Sequence, residues 1–305
     1  MRRKLLIIGY GSAGRRFATI AKKNFKNLDI NILTKQKKIN FKVIESIESI
    51  KKLNPDYIII SSPTKFHFHH LQLVNKFLKG KRILIEKPLY SELKNLKNVK
   101  NKIFVGYNLR NLKIIKFIKS IIFHNKTNIY DINFINHSFL PNWRKNVSYQ
   151  KSSSAKKKYG GGVILDCSHE IDLAKWMVGK IDILSVQSSK KSKLKIETED
   201  NCKIIGKHKN INISIDLNYY SIHKKRQICL LGDNLKIIVD LVSFKILIFK
   251  KEKKTIKTFN KNEIKISYFL ELKDLFSNRE KNLTNYKSAL ATQKFIQNIQ
   301  DFKHL

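Results

Sequence analysis

Cysteine is scarce in this sequence, arginine is scarcer than the charge suggests, and long apolar runs are missing. The three cysteines, Cys167, Cys202 and Cys229, are odd in number and lack metal-ligand spacing. That excludes a disulfide-framed module and leads us to expect reduced thiols in a reducing compartment. No run approaches the roughly 18 apolar residues of a membrane span. Leu5–Ile8 and Tyr57–Ile60 are only strand-sized. The opening Met-Arg-Arg-Lys precedes an apolar run too short for a signal-peptide core, so the expectation is a cytoplasmic protein with no membrane partner.

Acidic residues are also few, 23 against 62 basic ones, giving a formal net charge of +39. Such an excess usually marks a phosphate-bearing partner. Here only 9 of the 62 are Arg, the side chain best suited to phosphate and base recognition, and the lysines are scattered. Asn and Ile are abundant as well, which fits a base-composition pressure on the whole gene. We therefore expect no specific nucleic-acid partner, only weak, salt-sensitive adsorption to polyanions. There is no internal repeat. A chain of 305 residues with 42% hydrophobic content can bury a sizeable core and form two domains.

What is present begins with glycine. Lys4–Ile8 reads as a strand and Gly9-Tyr10-Gly11-Ser12-Ala13-Gly14 as a turn. A helix follows, with Phe17, Ala18, Ile20, Ala21 and Phe25 on an apolar stripe. A G-x-G-x-x-G between strand and helix marks a dinucleotide site. Gly9 permits the tight turn, Gly11 lets the backbone approach a pyrophosphate, and Gly14 lets helix and strand pack closely. The helix N-terminus at Ser12 and Ala13 points its free N–H groups at the phosphates.

An acid is missing further on. An NAD site usually carries Asp or Glu about 20 residues past the glycines, for the ribose 2′-hydroxyl. Thr34 stands there, followed by Lys35, Gln36, Lys37 and Lys38. A hydroxyl and cations suit a 2′-phosphate, so NADP is preferred to NAD, unless these lysines merely belong to the general lysine background.

Strands at Asp29–Leu33, Asp56–Ser61 and Arg82–Ile85 alternate with helices over 41–54 and 68–79. That alternation implies right-handed βαβ units and a parallel sheet, with ligands at the carboxyl ends of its strands. Ser62-Pro63-Thr64, with His67 beyond, and Glu86-Lys87-Pro88 fall at those ends. His67, His69 and His70 have no acidic or cysteine partner at metal-binding spacing, so no metal is expected. A second concentration of chemistry follows Gly160-Gly161-Gly162, where Asp166, His169 and Asp172 recur every third residue and would share one helix face. The alternative there is a glycine turn followed by an acid-rich helix start, which the helix dipole favours anyway.

These motifs, in this order and with Gly106-Tyr107-Asn108-Leu109-Arg110 between them, resemble the glucose-fructose oxidoreductase / inositol dehydrogenase / MocA family of NAD(P)-dependent enzymes. The resemblance is carried by about residues 1–180 and continues beyond them in length and pattern. Ser138–Tyr149 and the Leu165–Asp172 stretch resemble members found with surface-glycan and acidic-sugar biosynthesis. The resemblance implies an α/β chain with a Rossmann domain over residues 1–120. A substrate-binding and dimerisation α+β domain over 121–305 would follow, with a large, open, mostly antiparallel sheet. Strand patterns at Ile181–Val186, Lys203–Gly206, Ile211–Tyr219, Gln227–Leu231 and Leu235–Leu241 agree with that. So do closing helices over 269–276 and 286–302, a hairpin tip over 250–254 and a mobile loop over 151–158. A homodimer or homotetramer is implied.

Hydride transfer to or from a nicotinamide needs one group to move the hydroxyl proton and another to stabilise the developing oxyanion. Lys87, held at a strand end by Pro88, suits the second role, and burial would let it relay a proton; the alternative is a solvated strand end. His169 suits a general base near neutral pH, with Asp166 or Asp172 orienting it or binding a neighbouring hydroxyl. The family commonly sets its histidine four residues after the aspartate, with a glycine between. Here the spacing is three and Ser168 intervenes, so the division of labour between Asp166 and Asp172 stays open. The candidate cofactor residues are Gly9, Gly11, Ser12, Ala13, Gly14, Thr34, Lys35, Ser62, Pro63, Thr64, His67, Glu86 and Lys87. Substrate contacts fall to Asn108, Arg110, Arg144 and Tyr149. Arg144 beside Trp143 can clamp a carboxylate or phosphate, or can simply lie at the surface next to a core Trp. The function expected is NAD(P)-dependent hydride transfer at a secondary alcohol or ketone of a sugar, cyclitol or nucleotide sugar. The rival is a non-catalytic dinucleotide sensor of the same fold, against which Lys87 and His169 argue.

Overall fold

The computed structural model describes residues 2–124, 128–144 and 147–302. Lys145 and Asn146, within the Ser138–Tyr149 stretch, lie outside the described residues. The chain begins β1 (Arg3–Ile8), α1 (Ser12–Asn24), β2 (Leu28–Leu33), β3 (Lys42–Ile44), α2 (Ile50–Leu53), β4 (Tyr57–Ile60), α3 (His67–Phe77), β5 (Arg82–Ile85), β6 (Lys102–Val105). It continues α4 (Lys113–His124), β7 (Ile129–Phe139), α5 (Val163–Asp166), α6 (Ser168–Val178), β8 (Asp182–Ser189), β9 (Asn201–His208), β10 (Ile211–Asn218), β11 (Tyr220–Gly232). The last elements are β12 (Leu235–Asp240), β13 (Lys245–Lys250), β14 (Lys253–Thr258), α7 (Glu263–Phe276), β15 (Thr284–Asn285) and α8 (Tyr286–Gln300).

Two compact units result, Met1–Asn108 with Lys265–Gln293, and Leu109–Ile264 with Lys294–Leu305. The sequence places the division after residue 120. Packing instead assigns α4 to the second unit and returns residues 265–293 to the first. The return has a plain cause, since Leu272, Leu275 and Phe276 of α7 bury themselves with Leu5, Ile7 and Phe17 on the first sheet.

The first unit is built on a seven-stranded sheet of order β15-β6-β5-β4-β1-β2-β3, parallel except for β15. Strand side chains alternate between faces. Leu6, Ile8, Ile58, Ile60, Ile83 and Ile85 pack under Leu71 and Val74 of α3. Leu5, Ile7, Ile59 and Leu84 pack under Phe17, Ala18 and Ala21 of α1. Covering on both faces is why β1, β4 and β5 read as continuous apolar runs. The helix expected over 41–54 is not formed as one element. Residues 42–44 pair with Asn31–Leu33 as an edge strand, where β-branched Val43 and Ile44 fit, and α2 supplies a single turn.

The second unit carries an eight-stranded sheet of order β14-β13-β12-β11-β7-β10-β9-β8, antiparallel except for the parallel β7–β10 pair. Its inner face presents Ile132, Phe134, Ile213, Ile215, Ile228 and Leu230 to a core shared with Ile115 and Ile118 of α4 and Ile171 and Met177 of α6. β13 and β14 form the hairpin expected around Lys250–Lys254. The loop expected over 151–158 is ordered into short 3-10 turns, with Ser154 and Ala155 buried. Among the described residues no helix is long and apolar enough to cross a membrane.

Candidate nucleotide and reaction sites

The glycine turn joins β1 to α1 at the carboxyl edge of the parallel sheet. Gly9 has φ +94°, a left-handed angle that a side chain resists, and its own Cβ would meet Ser62 backbone at 2.6 Å. A Cβ on Gly14 would stand 2.1 Å from the Gly9 carbonyl oxygen, so α1 can approach the turn only with glycine there. A Cβ on Gly11, by contrast, would meet nothing within 4 Å. That opening lies at the start of α1, whose N-cap Gly11 makes no side-chain cap, and it suits the backbone's approach to a pyrophosphate. Ser61 Oγ donates to the Gly9 carbonyl at 2.9 Å and ties the turn to the end of β4.

Beyond the end of β2, Thr34 Oγ1 accepts the Gln36 N–H at 3.2 Å. Gln36 donates to the Tyr10 carbonyl at 3.1 Å and accepts from Arg15 at 3.3 Å. Gln36, Tyr10 and Arg15 border a cavity of about 570 Å³ whose lining also includes Lys22, Lys23 and Lys38 and no carboxylate. Lys35 and Thr34 are not part of that lining. Sequence reasoning missed Arg15, whereas Gln36 and Lys38 belong to the run after Thr34 that it had read as suiting a 2′-phosphate. The available signal was an Arg directly after the third glycine.

Further along the same edge, Glu86 Oε2 accepts the Lys87 backbone N–H at 3.2 Å, and the Lys87–Pro88 bond is cis. Burial raises the Glu86 pKa above its ordinary value, although Lys87 and Arg16 oppose the shift. Lys87 itself is half-buried. His67 is buried with Nε2 2.8 Å from the Ser62 carbonyl and Nδ1 3.0 Å from the Pro88 carbonyl. Burial lowers its pKa, although the Ser62 and Pro88 carbonyls oppose the shift, and the ring bridges the Pro63-Thr64 loop and the Lys87-Pro88 loop. Ser62 Oγ lies 2.9 Å from His70 Nδ1, and burial pushes the His70 pKa down to about 4. Asn108 ends this unit buried, its Nδ2 donating to Ser267 Oγ of α7 at 2.8 Å.

In the second unit the glycine stretch leads into α5, but the helix does not run on. Cys167 (φ −93°, ψ 23°) separates α5 from α6, so Asp166 does not share one continuous helix with His169 and Asp172. The one-face expectation is corrected accordingly. Asp166 Oδ2 accepts the Tyr219 hydroxyl at 2.6 Å. Asp172 is 1% exposed and takes a bidentate pair from Arg110, at 2.8 Å from Nε and 2.5 Å from Nη2. The Arg110 guanidinium also stands over Trp176. Arg110 and Asp172 thus engage each other, and Asp166 is the acid joined to a tyrosine. His169, at 9% exposure, lies in the first turn of α6.

The other substrate candidates fall in the same unit. Trp143 packs edge-on to Tyr219 at 5.2 Å and donates to Ser138 Oγ at 3.0 Å, with half-buried Arg144 beside it. Tyr149 Oη accepts the Lys195 N–H at 3.2 Å. Glu170, which drew no attention in the sequence, is a buried acid satisfied by Arg226 at 2.6 Å and Asn136 at 3.1 Å. No group of three or more His, Cys, Asp or Glu among the described residues is placed to hold a metal ion.

Residues 3–103 match the family model described as "Oxidoreductase family, NAD-binding Rossmann fold", and residues 128–238 match "GFO/IDH/MocA C-terminal domain". No curated protein matches the chain. Among solved structures, the WlbA dehydrogenase from Bordetella pertussis, in complex with NADH and UDP-GlcNAcA, has a TM-score of 0.80 at 14% identity. That likeness covers 98% of this chain and 94% of the other. UDP-N-acetylglucosamine 3-dehydrogenase GnnA from Acidithiobacillus ferrooxidans has a TM-score of 0.75 at 12% identity, over 98% and 97%. The dehydrogenase MviM from Clostridium difficile has a TM-score of 0.73 at 20% identity, over 99% of each chain. At these identities the likeness is one of fold. The two family models together span most of the sequence, and the chain belongs to the Gfo/Idh/MocA family of oxidoreductases, with an NAD-binding Rossmann fold.

Proposed function

We propose that the protein is an NAD(P)-dependent dehydrogenase that moves a hydride between the cofactor and a secondary alcohol or ketone of a sugar, cyclitol or nucleotide sugar. The observation that carries this is the Gly9–Gly14 turn opening α1 at the strand edge that also bears Glu86-Lys87-Pro88. A bound nicotinamide supplies the hydride acceptor or donor. Lys87 donates a hydrogen bond to the reacting oxygen and stabilises the negative charge that develops there. His169 takes or returns the hydroxyl proton. Of the two aspartates, Asp166 is assigned to that histidine or to a substrate hydroxyl, because it receives a neutral Tyr219 hydroxyl whereas Asp172 is paired with the Arg110 cation. Arg144 is kept as the group for an acidic substituent, and Ser62, Pro63, Thr64 and Glu86 as the cofactor's other wall. The names of WlbA and GnnA, both acting on or binding UDP-sugars, favour a nucleotide sugar within the substrate class.

For the cofactor we favour NADP. The acid-free, cationic cavity around Arg15, Gln36 and Lys38 supports accommodation of a 2′-phosphate. The rival is a non-catalytic dinucleotide sensor, for which a half-buried Lys87 beside a half-buried Glu86 has no use. Fluorescence titration with NADPH and NADH at moderate salt tests the cofactor, with NADPH expected to bind at least tenfold tighter and Arg15→Ala expected to erase the difference. Tighter NADH binding refutes the 2′-phosphate assignment. Lys87→Ala should abolish turnover while NADPH affinity stays within a few-fold. Retained turnover removes Lys87 from the mechanism.

A further inference from the structure

Glu199 meets the glycine stretch from the side opposite the chain's own continuation. Its backbone carbonyl accepts the Val163 N–H and its Oε1 accepts the Ile164 N–H, each at 3.2 Å. Main chain and side chain of one residue thereby brace the first turn of α5. Gly162, just before that turn, has φ +117°, and a Cβ there would stand 2.2 Å from Glu199 Oε1. Only glycine leaves room for this carboxyl. Asp166 closes the same one-turn helix and receives the Tyr219 hydroxyl.

We infer that Glu199 is a positioning residue for Asp166, holding the turn from which Asp166 projects and governing, by its own proton, the negative charge around that aspartate. The titratable groups facing Glu199 are Asp166 on α5, Lys157 in the preceding 3-10 turn, Cys202 on β9 and Tyr219 after β10. Burial pushes the Cys202 thiol up to about 12 and the Tyr219 phenol well above its ordinary value, so both stay neutral at physiological pH. The charges acting on Glu199 are therefore Asp166, which disfavours its ionisation, and Lys157, which favours it. Burial is the largest influence and raises the carboxyl to about 7. Below that pH Glu199 is a neutral acid, and above it a second carboxylate stands near Asp166. The added charge favours any cation that forms beside Asp166.

The assignment of Asp166 to a reaction site belongs to the proposed function, whereas the Glu199–Asp166 coupling can be measured without turnover. An acid whose pKa is higher folded than unfolded costs stability as pH rises through the folded value. Thermal unfolding of the wild type from pH 4.5 to 8.5 should include a decline through about pH 7 that Glu199→Gln, which mimics the protonated form, removes. Asp166→Asn should shift the decline to lower pH, and in the double variant it should be absent. Superposable profiles for wild type and Glu199→Gln overturn the inference, as does a decline that Asp166→Asn leaves in place. With a turned-over substrate in hand, Glu199→Gln should displace the pH profile of kcat/KM from that of the wild type, and an unmoved profile overturns the positioning role. Coupling in the unfolding data without any turnover counts against the oxidoreductase reading and leaves the Glu199–Asp166 pair standing.

Discussion

Glu271 is fully buried on α7, and among the described residues neither of its carboxyl oxygens has a hydrogen-bond partner. Burial raises its pKa well above the ordinary 4.5, and the Glu86 carboxyl adds to the shift. Such a group stays protonated in the folded chain at pH values where the unfolded chain has released the proton. Its cost is absent below the ordinary carboxyl pKa and grows as pH rises. Glu271→Met should therefore stabilise the protein by about 1–3 kcal/mol, with the gain in unfolding temperature larger at pH 8 than at pH 5. No gain at pH 8 would mean that the carboxyl is satisfied in solution. Residues of this kind are not legible in sequence, since Ser267 and Glu271 look like one polar stripe of a surface helix. Nothing local shows that the stripe faces inward, with Ser267 bound to Asn108.

At the scale of elements, the β1–turn–α1 unit is the most legible part of the chain, because its glycines act through sterics that the spacing alone specifies. Two of them make opposite predictions. Gly14→Ala forces its Cβ onto the Gly9 carbonyl oxygen and should cost roughly 2 kcal/mol or more of stability. Gly11→Ala projects into open space, so its unfolding temperature should match the wild type while dinucleotide affinity falls at least tenfold. Equal effects at the two positions would dissolve that division of roles. Other elements hid behind their neighbours. β7, at the centre of the second sheet, mixes Asp131, Asn133 and His137 on one face with Ile132 and Phe134 on the other. Its polar residues find partners such as Asn212, Ser214 and Asp216 on β10, a pairing of strands far apart in the sequence. The three-residue recurrence of Asp166, His169 and Asp172 misled for a related reason. A period describes a continuous helix, and the break at Cys167 leaves no mark in composition. What the sequence withheld were the tertiary partners, Tyr219 for Asp166 and Arg110 for Asp172.

At the scale of the molecule, a net charge of +39 and a pI near 10.1 govern behaviour that neither site explains. Retention on heparin should be strong at low salt and fall by roughly a hundredfold or more between 50 and 200 mM, without preference among polyanions. Salt-resistant or sequence-selective binding would reopen a nucleic-acid role. The same chain composition leaves two soundly packed sheets, each with its own core, and the first of these is discontinuous in sequence. That discontinuity reaches back to biosynthesis. When the ribosome has delivered the first 108 residues, the face formed by Leu5, Ile7, Ile59 and Leu84 still lacks Leu272, Leu275 and Phe276. The nucleotide-binding half therefore begins first but cannot be finished until the intervening unit has been synthesised. A nascent chain paused within the second unit carries an oily, incomplete sheet behind it, and that is the interval in which this protein most depends on a chaperone.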